Sequence, residues 1–194
     1  MPKATSKASS SSKPAPRSSA PTVVKAEDLD LKKLTFDKAY KKSEDAPYSS
    51  YSLKYPNSRI IVRVEGRIIN LSDEYGPPKL ALLPLSDKAA SKLASIADLW
   101  EARENIRGGV GEAEIEKSYS AEWKVDDGSS FNVLLGGKFK GDKALKKGSQ
   151  VRVLLDISLS IDTSKARAGT QFWLRGFKVL KETEEFDIEA ALDD

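Results

Sequence analysis

The chain has 194 residues, a formal net charge of +3, and neither cysteine nor histidine. That composition excludes disulfides, thiol chemistry, the usual zinc ligand sets and every histidine-based catalytic arrangement. No apolar run approaches the ~20 residues that span a bilayer, and no short apolar core marks a secretory signal, so one soluble, intracellular domain with tails is expected.

The small net charge conceals a segregation. Residues 1–26 carry Lys3, Lys7, Lys13, Arg17 and Lys25 with no acid, whereas Lys181 is the one cation among Glu182, Glu184, Glu185, Asp187, Glu189, Asp193 and Asp194. Tails of opposite sign can each reach a partner, or each other.

Residues 1–22 are Ser, Lys, Ala and Pro almost throughout. They cannot bury enough apolar surface to offset the entropy of ordering, so a disordered basic arm is expected. It would touch phosphates or simply solvate the chain; a transit peptide is a weaker reading, because no apolar helical face is present. The barrel-forming domain is expected over residues 23–181. Leu29, Leu31, Leu34 and Phe36 fit neither a helical nor a strand period and suggest a short strand or docking segment. Tyr48, Tyr51 and Tyr55 follow, either to stack on bases or to pack as a lid over a barrel end.

From Asn57 to Leu71 the pattern alternates, with Ile60, Val62, Val64 and Ile68 on one parity and Arg59, Arg63, Glu65 and Arg67 on the other. This is a long strand with an apolar inner face and a basic outer one. Gly66 interrupts the inner parity, where a bend or bulge is expected. After a Gly76-Pro77-Pro78 breaker, KLALLPL closes a hairpin, and Ser86-Asp87 opens a helix expected to run to about residue 105. Alternation returns from Glu112 to Val125, and Asp126-Asp127-Gly128 predicts a hairpin turn into SFNVLLGG.

A loop KFKGDKALKKG then surrounds Phe139 with lysines, either as a single-strand-binding element or as a solvated loop with Phe139 and Leu145 tucked beneath it. Val151, Val153, Leu155, Ile157, Leu159 and Ile161 form an uninterrupted inner face in the next strand. The last strand sets Trp173, Arg175 and Phe177 against Phe172, Leu174 and Lys178, with a bend expected at Gly176. Large side chains on both faces imply that the strand is either sandwiched or keeps one face for a ligand. No P-loop, nucleophile elbow or dinucleotide fingerprint occurs, so a non-enzymatic protein needing no cofactor or metal is expected.

The order of basic strand, inserted helix, lysine loop, Lys147-Gly148 to Ile161, Gly169 to Val179 and acidic tail resembles the OB-fold single-stranded DNA-binding proteins of certain phages and large eukaryotic DNA viruses. The likeness covers roughly residues 55–194. It implies an all-β, OB-like barrel carrying one inserted helix, with a groove that binds single strands in replication, recombination or repair. By position, the groove residues would be Arg63, Arg67, Lys138, Phe139, Lys140, Arg152, Trp173 and Arg175.

The resemblance also implies that the tail, residues 182–194, competes for the groove and recruits replication proteins through Glu184, Glu185, Phe186, Asp187, Asp193 and Asp194. Tails in the family often end in an aromatic, whereas this chain ends Leu192-Asp193-Asp194, which weakens the recruiting role alone. If the protein is viral, the host nucleus or a cytoplasmic replication site is its expected location. A homodimer and a preference for RNA stay open. Three alternatives remain: a coat or virion β-sandwich with a basic arm, an RNA-binding OB module, and a protein-interaction β-domain. The sparse arm charge and the acidic C-terminus argue against the coat protein.

Overall fold

A computed structural model describes residues 20–36, 40–41, 48–56, 58–73, 76–98, 116–117, 123–125, 128–162 and 167–183. Most of the basic arm and the tail beyond Thr183 lie outside these residues. The described chain is mostly β-sheet. Its strands are β1 (Thr22–Lys25), β2 (Thr35–Phe36), β3 (Tyr40–Lys41), β4 (Tyr48–Lys54), β5 (Ile60–Ser72), β6 (Lys79–Pro84), β7 (Glu116–Lys117), β8 (Trp123–Val125), β9 (Gly128–Leu134), β10 (Gln150–Asp162) and β11 (Arg167–Lys181). Helix α1 spans Asp87–Asp98; the expected continuation to residue 105 lies outside the described residues. So does most of the strand expected over 112–125, of which β7 and β8 are described. No helix among the described residues is long and apolar enough to cross a membrane.

The long strands close on themselves. β5 pairs with β6, β6 with β9, β9 with β11, β11 with β10, and β10 returns to β5. The β9–β11 pair is parallel and the other four are antiparallel. The alternation of β5 and β10 supplies the inner face that closure covers: Val62, Val64, Ile68, Val151, Val153, Leu155 and Ile157 all point inward and are buried. A sheet with one continuous apolar face must cover it, and a barrel covers it with the same sheet. Phe131 and Phe172 meet edge-to-face inside, with ring centroids 5.9 Å apart.

Different segments stop the two ends. At one, residues 135–149 fold back beneath the barrel. Gly148 N donates to the Ile68 carbonyl at 2.7 Å and Ile68 N to the Ser149 carbonyl at 3.0 Å. Phe139 and Leu145 join the core there. At the other end α1 begins under a Ser86 cap, whose Oγ accepts from Ala89 N at 3.3 Å. Its Ala89, Leu93 and Ile96 are buried with Ala26, Leu29 and Leu34 of the N-terminal segment. That segment is therefore part of the domain: β1 runs parallel to β5, and two short 3-10 turns, Ala26–Asp28 and Leu31–Lys33, follow it. Tyr55 packs against the core, and Tyr51 pairs in register with buried Leu159. Both fit the lid reading better than an exposed stacking row.

Two glycines set the curvature. At Gly66, β5 passes from its pairing with β10 to its pairing with β6. A Cβ here would lie 2.7 Å from Leu82 Cδ1 and 2.8 Å from the Leu83 carbonyl oxygen. The close approach of β6 is thus what demands glycine, while the irregular register falls later, between Ile68 and Asn70. At Gly176 the expected bend is a β-bulge: Leu154 pairs with Gly176 but Leu155 with Leu174, leaving Arg175 as the extra residue. Parity therefore inverts after Arg175. Phe177 and Val179 turn inward beside Phe172 and Leu174, and Lys178 turns outward, correcting the grouping that strict alternation suggests.

Candidate nucleic-acid interface

The outer surface of the barrel is not uniform. On β6 and β9 the outward positions Ala81, Leu83, Ser130, Asn132 and Leu134 are buried. On β5, β10 and β11 most outward positions are half-buried or exposed and charged side chains recur among them, with Ile61, Asp156 and Ser160 as buried exceptions.

Register assembles this second face in rows. Lys25 lies beside Arg63, Arg63 beside Leu154, and Leu154 beside Gly176. One step along β10, Glu65 flanks Arg152 on one side and Lys178 on the other. Next, Gln150 lies between Arg67 and Lys181. In the opposite direction Asp156 faces Trp173 directly. Adjacent strands are roughly 4.8 Å apart, so the four-strand row is about 14 Å wide and the three-strand rows about 10 Å. The face thus unites Arg63, Arg67, Arg152, Trp173 and Arg175.

The charges are partly engaged. Arg152 Nε donates to Glu65 Oε1 at 2.8 Å, and its Nη2 lies 2.7 Å from the same oxygen. Arg59 and Arg175 both bind Asp156. Arg63 and Lys178 make no ion pair among the described residues. The Trp173 indole N–H donates to Gln171 Oε1 at 3.3 Å, which turns the ring along β11. It is half-buried and is not one of the core rings.

The loop candidates lie elsewhere. Phe139 is only 7% exposed and packs edge-on against Phe177 with centroids 6.0 Å apart, so the ring expected to meet bases is a core ring. Its aromatic spacing reads the same for either role, and burial decides. Lys138 Nζ sits 5.3 Å above the Phe139 ring, while Lys140 lines a cleft of about 220 Å³ with Leu71, Asp73, Lys79 and Asp142. These lysines rim the barrel end rather than the β5–β10–β11 face.

A second cleft, of about 240 Å³, opens at the foot of that face between Arg67, Gln150, Lys181 and Thr183. Thr183 Oγ1 donates to the Lys147 carbonyl at 3.1 Å, closing over Gly148, whose φ of +86° favours glycine. The chain therefore leaves the barrel toward its acidic residues beside Arg67. Glu184, Glu185, Phe186, Asp187, Asp193 and Asp194 lie outside the described residues.

The groove residues expected from sequence leave out Lys25, Arg59, Lys178 and Asp156. Arg59 was visible in the alternation of β5, and the Arg175-Gly176 pair was a signal for the bulge that brings Lys178 outward. Nothing local marks Lys25 or Asp156, whose placement depends on pairing across the sheet. No protein-family model, curated protein or solved structure matches this chain.

Proposed function

We propose that this protein is a non-enzymatic, sequence-tolerant single-stranded DNA-binding protein of replication, recombination or repair, built on an OB-type barrel. The observation that carries the reading is the convergence of Arg63, Arg152, Arg175 and Lys178 with Trp173 on one exposed sheet face. Cations that neutralise phosphates beside an aromatic ring that stacks on bases are the parts a single-strand site needs. Neither part reads base identity, so tolerance of sequence follows.

The closure order supports the barrel type. Numbering the ring strands along the chain, first pairs with second, second with third, third with fifth, fifth with fourth, and fourth with first. This order matches the five-stranded Greek-key barrel by which OB folds are described, which supports the reading. In such barrels the second and third strands and nearby loops commonly carry the ligand. Here the outward positions of those strands are buried, which favours the face of β5, β10 and β11 instead.

Binding would proceed by release of counterions from phosphates lying along β10, with one or more bases resting on Trp173. The tail beyond Thr183 would compete as an anion for the same surface, starting from beside Arg67 and Lys181. A fluorescence titration with oligo-dT tests this, at low and high salt, on the full chain and on a chain ending at Thr183. The expected result is micromolar or tighter binding that weakens with salt and tightens on truncation. Absence of binding by the shortened chain at low salt would overturn the reading. An oligo-U competitor in the same titration separates DNA from RNA preference.

A further inference from the structure

The proposed face carries an acid where a DNA-binding surface should avoid one. Asp156 is 5% exposed, yet it sits at an outward position of β10, beneath the side chains of its neighbours. It accepts from Arg175 Nε at 3.0 Å and from Arg59 Nε at 3.4 Å, and the Nη2 of each arginine also binds it. Both guanidinium groups thus present the same Nε–Nη2 edge to one carboxylate. An arginine has five N–H donors in a planar fork. With that edge engaged, the remaining hydrogens on Nη1 and Nη2 point away from Asp156, and the two side chains stay 49% and 52% exposed.

Three further features fix this arrangement. Arg175 is the extra residue of the β11 bulge, a device that re-aims a side chain. Arg59 is held by its backbone, whose carbonyl accepts from Thr22 N at 2.8 Å. Trp173 is the register partner of Asp156, so the ring stands beside the arginine pair.

We infer that Asp156 is a positioning residue for a one-nucleotide subsite, in which Trp173 takes the base and Arg59 and Arg175 together take the adjoining phosphodiester. The inference rests on the single-strand reading above and names the residues at its centre. An unrestrained arginine loses rotamer freedom when it grips a phosphate. Arginines pinned by a buried carboxylate have lost that freedom on folding, and two guanidinium groups on one acid still leave a net positive site. A planar fork also matches phosphate oxygens better than an ammonium group does.

The inference reverses a sign. By charge alone, Asp156→Asn removes a negative group from a DNA-binding face and should tighten binding. Loss of positioning should weaken it instead, by about tenfold, the equivalent of one charge-assisted hydrogen bond. The test uses the full chain, oligo-dT at fixed salt, and a thermal melt to score the folded fraction. Arg59→Lys and Arg175→Lys accompany it, since they keep the charge and lie at half-exposed positions where folding should survive. Each is expected to bind several-fold more weakly with an unchanged dependence of log affinity on log salt.

If Asp156→Asn does not fold, the two lysine variants decide alone. Binding by folded Asp156→Asn that equals or exceeds wild type would overturn the inference, as would lysine variants that bind like wild type. Wild type that fails to bind oligo-dT at low salt would instead overturn the single-strand reading itself. The two failures are therefore distinguishable.

Discussion

Phe172 and Trp173 are neighbours in β11 that face opposite ways, and substitution of each separates folding from binding. Phe172 is 1% exposed and packs edge-on against Phe131 inside the barrel. Its replacement by alanine should leave a cavity costing about 3–5 kcal/mol. At roughly 2–4 °C per kcal/mol for a chain of this size, the melting temperature should fall by on the order of 10 °C. Trp173 is half-buried on the basic face, so Trp173→Ala should cost about 1 kcal/mol or less in stability. Its affinity for oligo-dT should fall by about 1–3 kcal/mol, the measured worth of one base–aromatic stack. That corresponds to a dissociation constant roughly 5- to 150-fold weaker. Titration with labelled oligo-dT at low salt, alongside a thermal melt, reads both quantities. Trp173→Phe should keep most of the affinity. Wild-type affinity in Trp173→Ala would refute the stacking role, and a melt lowered as far as that of Phe172→Ala would make the ring structural.

Three other substitutions test separate steps. Gly66→Ala places a Cβ 2.7 Å from Leu82 and 2.8 Å from the Leu83 carbonyl oxygen, so overpacking should cost about 1–3 kcal/mol. An unchanged urea midpoint would count against the close-approach argument. Phe139→Ala should lower stability by about 3–5 kcal/mol while the folded fraction binds normally; selective loss of affinity would restore the exposed-ring reading. Glu65→Gln should release Arg152 and tighten oligo-dT binding about two- to fivefold, with little change in the melt, because an exposed pair contributes about 0–1 kcal/mol. Weaker binding by this variant would show that Glu65 positions Arg152.

Period-two patterning made the barrel strands legible. β5, β10 and β11 each alternate over a dozen or so residues, long enough to show which face is apolar. Closure could not be read this way, because pairing β10 with both β11 and β5 is a long-range choice without a local signature. Parity was readable up to the first bulge and no further. Arg175 shifts the side chains from Gly176 to Val179 by one face, until a second irregularity at Leu180 returns Lys181 to its original parity, so Phe177 and Lys178 exchange the roles that simple alternation assigns them. Gly176 was a visible cue to the bulge, but the residue that would be extruded was not. The lysine loop shows the complementary limit. Phe139 among lysines has the composition of a binding loop, yet its ring fills the barrel end, and only tertiary burial separates the two outcomes.

The two carboxylates of the basic face show why charge counting is a poor guide to such a surface. Glu65 and Asp156 lie on adjacent strands and both bind arginines. The Glu65 side chain is 44% exposed, so water already screens its pair with Arg152, and an arriving phosphate can replace it with little penalty. On the single-strand reading, its main effect is then repulsion of the phosphates. The Asp156 side chain is 7% exposed, so a phosphate cannot displace it from beneath the arginines, and its field acts on two guanidinium groups rather than on solvent. Its main effect is on where those groups point. Removal of the two charges should therefore move affinity in opposite directions, with Glu65→Gln tightening binding and Asp156→Asn weakening it. A purely electrostatic surface would tighten with both.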